Sequence, residues 1–315
     1  MYFPFLRGKQ FELIALREIS PKINGQNNIR PIIEPIKQKT ATYTKTLDSL
    51  TQNNINFTII INPSVGNLLQ DIDYICAELL PHTSYENYQL GILLNSKTDL
   101  NTISKKLKSF TLEKQSIIVI LDPSYNNESN ELNMFIDSHS IKYIAIDSNS
   151  GRRSLIRKLR SKNIELISIS DPYNKLSRNK DYASEPDEFF SEEHIYFKDE
   201  NYKGFSDYLT VGNQYSSSGF SPYAVAIHLT YHDEDRSFRI HHFVSNSNDD
   251  IYDVGGKFLE ALDKLIPFIN TKALDTDACN QFRQLHTDEK YPGLGTVKKL
   301  SILHHLELIN DYLSQ

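Results

Sequence analysis

The chain has 315 residues, a formal net charge of −6 and 39% hydrophobic residues, a composition that suits an ordinary globular protein with a buried core. The acidic excess argues against a broad nucleic-acid-binding surface, because affinity for phosphates requires clustered Lys and Arg. The longest apolar run, Ile117–Leu121, is too short to cross a bilayer, and the first residues lack the features of a signal peptide, so we expect a cytoplasmic protein. The cysteines, Cys76 and Cys279, lie too far apart for a CxxC-type zinc or redox motif.

Along the chain, eight apolar and β-branched runs each end at a polar residue, and a helical or loop segment follows each run. The predicted strands are Tyr2–Leu6, Ile29–Glu34, Phe57–Ile61, Leu90–Leu94, Ile117–Leu121, Lys142–Ile146, Glu165–Ile169 and Tyr223–Thr230. The predicted helices between them are Gln10–Ile19, Thr42–Gln52, Val65–Leu80, Asp99–Phe110, Glu128–Ser138 and Arg152–Ser161. An eightfold alternation of strand and helix predicts a (β/α)8 barrel of the TIM type, in which active sites lie at the C-terminal ends of the strands.

The alternation stops after the seventh predicted strand, where residues 172–221 are rich in aromatic and acidic side chains but lack clear periodicity. An irregular segment of this length usually forms a lid, a small subdomain or a partner-binding element. We expect this insertion to cover the barrel mouth or to protrude as a binding surface. Its own small core is predicted to consist of Phe189, Phe190, Phe205 and Tyr208.

The C-terminal part of the chain is predicted to be mainly helical. The eighth predicted strand continues through a polar turn into a hairpin strand, Phe238–Val244, and the helices that follow are Val254–Ile269, Thr276–Leu285 and Thr296–Leu313. The last helix carries an apolar stripe, so we expect it to dock within the chain and to leave one edge for a partner. We therefore predict a barrel over residues 1–270 that includes the insertion, and a helical extension over 271–315 packed on the barrel.

In a closed barrel the C-terminal ends of all eight strands meet at one mouth. The polar residues at the predicted ends are Arg7, Glu34, Asn62, Asn95, Asp122, Asp147, Asp171 and His228. Several carboxylates in one mouth would raise one another's pKa unless a cation lay between them, such as a divalent ion, a basic ligand, or Arg7 and Lys9. The alternative for each residue taken singly is that a polar residue at a strand end, often before proline, only ends the strand and caps a helix.

Histidines are concentrated in the C-terminal part of the sequence. If the hairpin turn is centred between Glu234 and Asp235, His228 faces His241, close enough to share a metal ion or a proton. The spacing matches no known metal motif, and structural histidines with hydrogen bonds are the alternative. The cofactor is unknown from the sequence; for a divalent cation the candidate ligands are Glu34, Asp122, Asp171, His228 and His241.

Arg152 lies at the start of the sixth predicted helix, where a helix N-terminus and a guanidinium would suit a phosphate group. The other basic residues of this helix are expected to form a solvated outer face. The sequence contains no P-loop, GxGxxG, GxSxG or HExxH motif, so nucleotide-binding folds and common hydrolases have no support from motifs.

The opening residues Met1–Glu18 and the segment Ile32–Pro35 resemble the start of the phage-type beta protein family. Members of that family begin with an aromatic–Pro–x–Leu–(Lys/Arg) strand and carry a Pro-Leu-Ile-Glu second strand. The chain is most similar to a bacterial branch with a locus-style "sce" label, which shares the further segments Arg178–Tyr182, Phe189–Glu192, Gly204–Tyr208, Ala226–Tyr231, Arg239–Val244 and Tyr291–Leu308.

This resemblance implies a barrel-like fold and a setting of mobile elements or phage defence, in which a small nuclease-like companion is encoded alongside. It assigns no catalytic roles. It does make certain residues the preferred functional ones, namely Arg7, Lys9, Glu12, Glu34, Asp171, Asp207 and His228.

Three functions remain open from the sequence. The leading hypothesis is a cytoplasmic barrel component of a two-protein bacterial phage-defence or toxin–antitoxin-like module, which binds a ligand or cleaves a phosphate-containing substrate at its mouth. In that hypothesis Glu34, Asp122 and Asp171 bind a cation or act as a base and His228 acts as an acid, as in hydrolase or phosphodiesterase chemistry. The ligand-binding residues would be Arg7, Lys9, Asn62, Asn95, Asp147, Arg152 and Asp207. The alternatives are a non-enzymatic partner of the companion nuclease-like protein, and a metabolic barrel lyase or hydrolase.

Overall fold

The computed structural model describes residues 1–80, 87–125, 130–147, 150–217 and 222–315. The last four residues of the predicted insertion, 218–221, and the first two of the fifth predicted helix, 128 and 129, lie outside these ranges. The chain forms two compact units, which divide it differently from the expected 1–270 and 271–315. The barrel unit comprises residues 1–13, 20–170 and 196–207, and the C-terminal unit comprises 14–19, 171–195 and 208–315.

The strands and helices alternate through the first half of the chain, as the sequence predicts. The strands of the described residues are β1 Phe5–Leu6, β2 Ile32–Ile33, β3 Phe57–Ile60, β4 Tyr88–Leu94, β5 Ile117–Leu121, β6 Ile141–Ile146, β7 Glu165–Ile169, β8 Asp187–Ser191, β9 Gly204–Ser206, β10 Ala226–His232 and β11 Phe238–Val244. The α-helices are α1 Gln10–Ile19, α2 Ala41–Gln52, α3 Ile72–Tyr74, α4 Leu100–Ser109, α5 Asn130–Ser138, α6 Arg153–Ser161, α7 Glu193–Tyr196, α8 Val254–Thr271, α9 Asp277–Thr287 and α10 Leu294–Leu313.

Eight parallel strands form the barrel, in the order β1-β2-β3-β4-β5-β6-β7-β9. The first and last strands join through parallel pairing of Tyr2 with Phe205. The amide of Phe3 donates to the carbonyl of Phe205 at 2.8 Å, and the amide of Phe5 donates to the carbonyl of Asp207 at 2.9 Å. These bonds close the sheet on itself, which confirms the predicted (β/α)8 barrel.

The strands of the barrel are buried on both faces, as the apolar runs of the sequence indicate. Every residue of β5 is buried, as expected for a parallel strand covered by side chains inside the barrel and by helices outside it. The helices contribute one apolar face each, such as Leu155, Ile156 and Leu159 of α6. The alternation of strands and helices in the sequence therefore predicts seven of the eight barrel strands correctly.

The eighth barrel strand is β9, and the prediction of Tyr223–Thr230 for this position was wrong. β9 is only three residues long and lies within the predicted insertion, so no periodic pattern marks it. Gly204 is required there, because a Cβ on this residue would overlap the carbonyl oxygen of Met1 and approach the Phe3 ring within 2.6 Å. The insertion is thus not one element, since it supplies a barrel strand and also β8 of a second sheet.

The third predicted helix, Val65–Leu80, is much shorter in the structure. Gly66 and Gln70 have φ angles of +84° and +56°, which interrupt a right-handed helix. A Cβ on Gly66 would lie 2.6 Å from the carbonyl oxygen of Ile36, so only glycine fits this turn. The helix begins at Ile72 and continues as a π-helical turn over Ile75–Leu79.

The C-terminal unit contains a three-stranded antiparallel sheet in the order β10-β11-β8. The predicted hairpin is confirmed by the pairing of β10 with β11, although it lies outside the barrel sheet. The proposed small core of the insertion is wrong, because Phe189 is exposed, Phe190 contacts His305 in this unit and Phe205 belongs to the barrel.

Helix α10 packs against β10 and α9, and its side chains from Lys299 to Asn310 are all buried. The expectation that this helix docks within the chain is confirmed, whereas the expectation that one edge stays free for a partner is wrong for Lys299–Asn310. The polar side chains of α10 have partners inside the unit. Lys299 binds Glu18 at 2.8 Å, and Glu307 accepts from the amide of Ala278 at 3.1 Å. Within the described residues, no helix combines the length and apolar character needed to cross a membrane.

Barrel closure at Gly204 gives a testable prediction. The Gly204→Ala substitution should lower the free energy of unfolding by about 1–3 kcal/mol, because the added methyl group overpacks the contact with Met1 and Phe3. Urea denaturation followed by circular dichroism measures this change. The matched control is Gly255→Ala in α8, where a Cβ meets Tyr291 only at 3.6 Å. Equal unfolding midpoints for the two variants would contradict the assigned closure.

Candidate functional site

The C-terminal ends of the barrel strands carry polar side chains, as predicted. Since all eight strands run parallel, these C-terminal ends lie together at one end of the barrel. The strand-end residues of the barrel unit are Arg7, Glu34, Asn62, Asn95, Asp122, Asp147 and Asp207. Asp207, which follows β9, thus takes the eighth position that the sequence analysis gave to His228.

A buried ion pair joins the ends of β1 and β2. The Nε atom of Arg7 lies 3.4 Å from Oε2 of Glu34, and the two side chains are 11% and 0% exposed. The other oxygen of Glu34 accepts from the amide of Ser64 at 2.6 Å and from its hydroxyl at 2.8 Å. The amide of Arg7 donates to Glu12 at 2.7 Å. Gly8 has a φ of +57°, and a Cβ there would lie 3.1 Å from the carbonyl oxygen of Glu34.

Three other strand-end residues form hydrogen bonds within the barrel unit. Asn62 bridges the backbone of Leu93, donating to its carbonyl at 2.7 Å and accepting from its amide at 2.9 Å. Asn95 accepts from the amide of Lys97 at 2.9 Å. Asp122 accepts from the amide and the hydroxyl of Ser124 at 2.8 and 2.6 Å. The side chains of Asn95 and Asp122 form local turns, as expected from polar residues at strand ends, which was the alternative to a ligand-binding role. Asn62 instead ties the end of β3 to β4.

The remaining predicted residues of the barrel unit also have contacts within the chain. The Nη2 atom of Arg152 donates to the carbonyls of Pro123 at 2.9 Å and Tyr125 at 2.6 Å, so its guanidinium fixes the loop after β5. Asp207 accepts from the hydroxyl of Tyr2 at 2.6 Å, and burial together with this carboxylate raises the pKa of Tyr2 well above its ordinary value.

For two further predicted residues, Asp147 and Lys9, the backbone carbonyl oxygen accepts a hydrogen bond from a residue three or four positions later. That of Asp147 accepts from Ser150, and that of Lys9 accepts from the amide of Leu13 at 3.0 Å. Both residues follow strands of the barrel at their C-terminal ends, and their ligand-binding roles stay predictions.

The other predicted catalytic residues, Asp171 and His228, belong to the C-terminal unit. Asp171 follows β7 and accepts from the amide of Asn213 at 3.1 Å. His228 lies on β10, so its assignment to a barrel strand end was wrong. Tyr223–Thr230 has the composition of a barrel strand, but its residues from Ala226 onward pair with β11 instead.

The register of the hairpin also differs from the prediction by one residue. His228 lies opposite His242, and Leu229 lies opposite His241. The amide of Arg236 donates to the carbonyl of Asp233 at 3.0 Å, and Arg236 has a φ of +69°. This is a three-residue hairpin loop with a left-handed last residue, which centres the turn on Asp235. The predicted pairing of His228 with His241 is therefore wrong.

His241 belongs to a separate charged group on the sheet. Its Nδ1 atom lies 2.9 Å from Asp187, which also accepts from Arg239 at 2.6 Å and from the hydroxyl of Tyr231 at 2.8 Å. Burial of Asp187 raises its pKa, but the hydrogen bonds from His241, Tyr231 and Arg239 outweigh burial and hold the pKa below its ordinary value. This group is a structural ion-pair network at the surface of the sheet.

His228 and His242 form a second group with Glu188. Their Nδ1 atoms lie 2.7 Å apart, and the Nε2 atom of His242 lies 3.0 Å from Oε1 of Glu188. Burial is the largest cause that lowers the pKa of both histidines, with Glu188 opposing it at His242. His228 is therefore neutral near pH 7, which disfavours the predicted role as an acid. Glu188 was missed because β8 shows no alternating pattern in the sequence.

The proposed metal ligands are divided between the two units, with Glu34 and Asp122 in the barrel unit and Asp171, His228 and His241 in the C-terminal unit. Across residues 1–80, 87–125, 130–147, 150–217 and 222–315, no three His, Cys, Asp or Glu side chains are grouped so that they could hold a metal ion. The geometry gives a divalent cation no support beyond the sequence pattern.

No protein-family model and no curated protein matches the chain. Among solved structures, it is similar to CdNal from Clostridium difficile in complex with mannosamine, with 10% identity over 66% of this chain and 69% of that chain and a TM-score of 0.41. It is also similar to an uncharacterized B. cereus protein, with 12% identity over 69% of this chain and 62% of that chain and a TM-score of 0.40. Similarities this low carry no argument about ligand or reaction.

Buried histidine on α10 makes stability depend on pH. His304 accepts from the hydroxyl of Thr276 at 2.8 Å and donates from Nε2 to the carbonyl of Thr230 at 2.7 Å. Burial lowers its pKa from 6.5 to about 4. In the unfolded chain this imidazole takes up a proton near pH 6.5, whereas in the folded chain it does so only near pH 4, so acid favours unfolding.

We therefore expect the free energy of unfolding to fall as the pH is lowered from about 6.5 to about 4, with His304 contributing about 3 kcal/mol of the loss. Urea denaturation at a series of pH values measures the slope. The His304→Gln variant should show a flatter profile, even where it is less stable at every pH. His286→Gln makes the same substitution at a partly exposed histidine that binds Asp263 and is the matched control, whose profile should stay steeper than that of His304→Gln. A His304→Gln profile as steep as the wild type would contradict the assignment.

Proposed function

We propose that the protein is a barrel component of a two-protein bacterial phage-defence or toxin–antitoxin-like module, located in the cytoplasm, and that its barrel mouth binds an anionic, phosphate-containing ligand. The mouth recognises this ligand rather than cleaving it. Binding is favoured over cleavage because Glu34, Asn62 and Asp122 are engaged by groups of the chain itself. In the part of the chain that the structure describes, no group of three His, Cys, Asp or Glu side chains could hold a metal ion for cleavage.

The observation that carries the proposal is the ion pair of Arg7 with Glu34. A carboxylate without solvent exposure fixes the guanidinium at the end of β1, while Lys9 lies two residues further along the same turn. A guanidinium held in one orientation loses little entropy on binding, and its planar fork suits phosphate oxygens. Gly8, whose φ is +57°, turns the chain between the two basic residues after β1.

A test must remove the positive charge without leaving a buried carboxylate unpaired, which by itself costs about 3–5 kcal/mol. The double variant Arg7→Gln with Glu34→Gln meets this condition. We expect it to bind inorganic phosphate and nucleoside monophosphates at least about tenfold more weakly than the wild type, as measured by isothermal titration calorimetry. Lys108→Gln, at an exposed position of α4, is the control and should bind as the wild type does. Equal affinity of the double variant and the wild type would refute the mouth as the binding site.

A non-enzymatic partner of a companion nuclease-like protein is the second candidate. It is favoured by large apolar side chains exposed on the C-terminal unit, namely Phe189, Tyr223, Ile251 and Tyr252. Exposed aromatic residues are enriched at protein interfaces because they bury a large area at a small cost in entropy. A metabolic lyase or hydrolase is a third possibility with no observation of its own.

Copurification with the product of the neighbouring gene tests the partner. Coexpression should yield a complex, and Phe189→Ser should reduce the recovered partner at least about fivefold, since an apolar anchor of an interface typically contributes more than about 1 kcal/mol. Met134→Ser is the matched control, because Met134 is 69% exposed on α5 of the barrel unit whereas Phe189 is 53% exposed. Equal recovery with both variants would exclude Phe189 from the interface, and no recovery with the wild-type chain would exclude the companion.

A further inference from the structure

We propose that Glu188, His242 and His228 form a proton relay in the C-terminal unit, and that Nε2 of His228 accepts a proton from a hydroxyl group or water molecule bound beside it. This proposal does not depend on the ligand binding proposed above for the barrel mouth. His228 is the group that would touch the ligand. His242 and Glu188 act through it and are positioning residues.

The three residues come from three neighbouring strands. Glu188 lies on β8, His242 on β11 and His228 on β10, and the last two are direct partners in the antiparallel register. The distances are 3.0 Å from Glu188 Oε1 to His242 Nε2 and 2.7 Å between the two Nδ1 atoms. Groups carried by paired strands are held more firmly than groups on loops, so the chain of hydrogen bonds is preorganised.

The hydrogen bonds determine which nitrogen carries each proton. An ionised carboxylate only accepts, so Nε2 of His242 carries a hydrogen and donates to Glu188. Nδ1 of neutral His242 then holds a lone pair and accepts from Nδ1–H of His228. The second oxygen of Glu188 accepts from the side-chain amide of Asn174 at 3.1 Å, which supports the ionised carboxylate. Nε2 of His228 is left with a lone pair.

Two tyrosine rings pack against the histidine pair, and His228 is the histidine that keeps some exposed surface. The ring of Tyr182 lies 4.8 Å from that of His228 and 4.5 Å from that of His242, and the ring of Tyr173 lies 5.4 Å from that of His228. The two tyrosine hydroxyls bond each other at 3.0 Å. The side chain of His242 has no exposed surface, whereas His228 is partly exposed. Among the described residues, no group forms a hydrogen bond with Nε2 of His228.

The proton step balances without any further reactant. The O–H bond of the bound group breaks, its oxygen keeps the electron pair, and Nε2 of His228 gains the hydrogen. The hydrogen on Nδ1 of His228 then moves to Nδ1 of His242, which becomes an imidazolium paired with Glu188. The ionisable groups that act on the two histidines are Glu188, His241, Asp187 and Lys298.

Free neutral histidine favours a hydrogen on Nε2, whereas the relay requires His228 to carry its hydrogen on Nδ1. A His228 with the hydrogen on Nε2 could not accept a proton there, so its tautomer is a necessary condition of the relay, and the reactivity of Nε2 is the further test. The tautomer can be read directly from the two ring nitrogens.

The first experiment is nitrogen-15 NMR of the full chain with labelled histidine, recorded near pH 7. We expect a protonated Nδ1 and unprotonated Nε2 for His228, and the opposite pattern for His242. The His228→Gln and His242→Gln variants assign the signals. A hydrogen on Nε2 of His228 would overturn the proposal.

The second experiment measures the reactivity of the open nitrogen with diethyl pyrocarbonate, followed by mass spectrometry of the modified peptides. Nε2 of His228 attacks the carbonyl carbon of the reagent, ethyl carbonate leaves, and the relay takes up the Nδ1 proton. Glu188→Gln retains the acceptor but removes the charge, and should slow modification of His228 about tenfold, the equivalent of one pKa unit. Modification of His286 in the same sample is the internal control and should not change.

Asn174→Ala is the second variant, because it removes one donor to Glu188 but keeps the carboxylate. We expect its rate at His228 to stay within about twofold of the wild type, since one neutral hydrogen bond contributes about 1 kcal/mol or less. Circular dichroism of each variant shows that the fold is retained. An unchanged rate in folded Glu188→Gln, or an equal loss in both variants, would overturn the relay.

Discussion

Closure of the barrel by β9 against the N-terminal residues is the constraint on which the barrel unit depends. Only three residues, Gly204–Ser206, complete the sheet, and they pair with the chain at Tyr2–Phe5 through backbone hydrogen bonds. Tyr2 adds a stacked contact with Phe205, with ring centroids 5.0 Å apart, and a hydrogen bond to Asp207. Without this closure β1 and β7 would expose unpaired edges, and the polar strand ends would no longer share a mouth.

The sequence allows the barrel class to be predicted because parallel strands buried on both faces leave continuous apolar runs such as Ile117–Leu121. It does not allow the eighth strand to be found, because three residues cannot establish a period. The hairpin of Tyr223–Val244 was a stronger local signal and took its place in the prediction. Which sheet a strand joins is decided by tertiary pairing, which the residues of the strand alone do not encode.

The hairpin register shows a similar limit on a smaller scale. A single residue in the left-handed conformation, Arg236, shifts the turn by half a residue and so exchanges His241 for His242 opposite His228. Because side chains alternate between faces of a strand, this shift changes the chemistry of the pair. Asn at this turn position would have predicted the left-handed conformation, which Asn adopts readily, whereas Arg does not predict it. The prediction for helix α10 was wrong for another reason. Its polar side chains have hydrogen-bond and ion-pair partners inside the unit, so its sequence pattern resembles that of a surface helix although the helix is buried.

The same difficulty affects the candidate sites. Polar residues at strand ends were correctly located at Glu34, Asn62 and Asp122, but their location does not reveal whether a side chain faces a ligand or holds a turn. That difference depends on partners such as Ser64, Leu93 and Ser124, which only the three-dimensional structure brings into contact. Glu188 is the opposite case, since it lies in an irregular stretch of sequence yet is held in place by two specific contacts.

The two charged centres differ in what they can do chemically. Arg7 and Glu34 carry opposite charges in a buried site, so removing either side chain's charge would leave the other unpaired. The centre on the second sheet has one carboxylate and two neutral imidazoles. Each neutral imidazole carries a hydrogen on one of its two nitrogens, so the other nitrogen can accept a proton. A proton can therefore enter at His228 and come to rest beside Glu188, where the new charge is neutralised. An ion pair with both charges in place suits recognition, and a carboxylate joined to neutral histidines suits proton transfer.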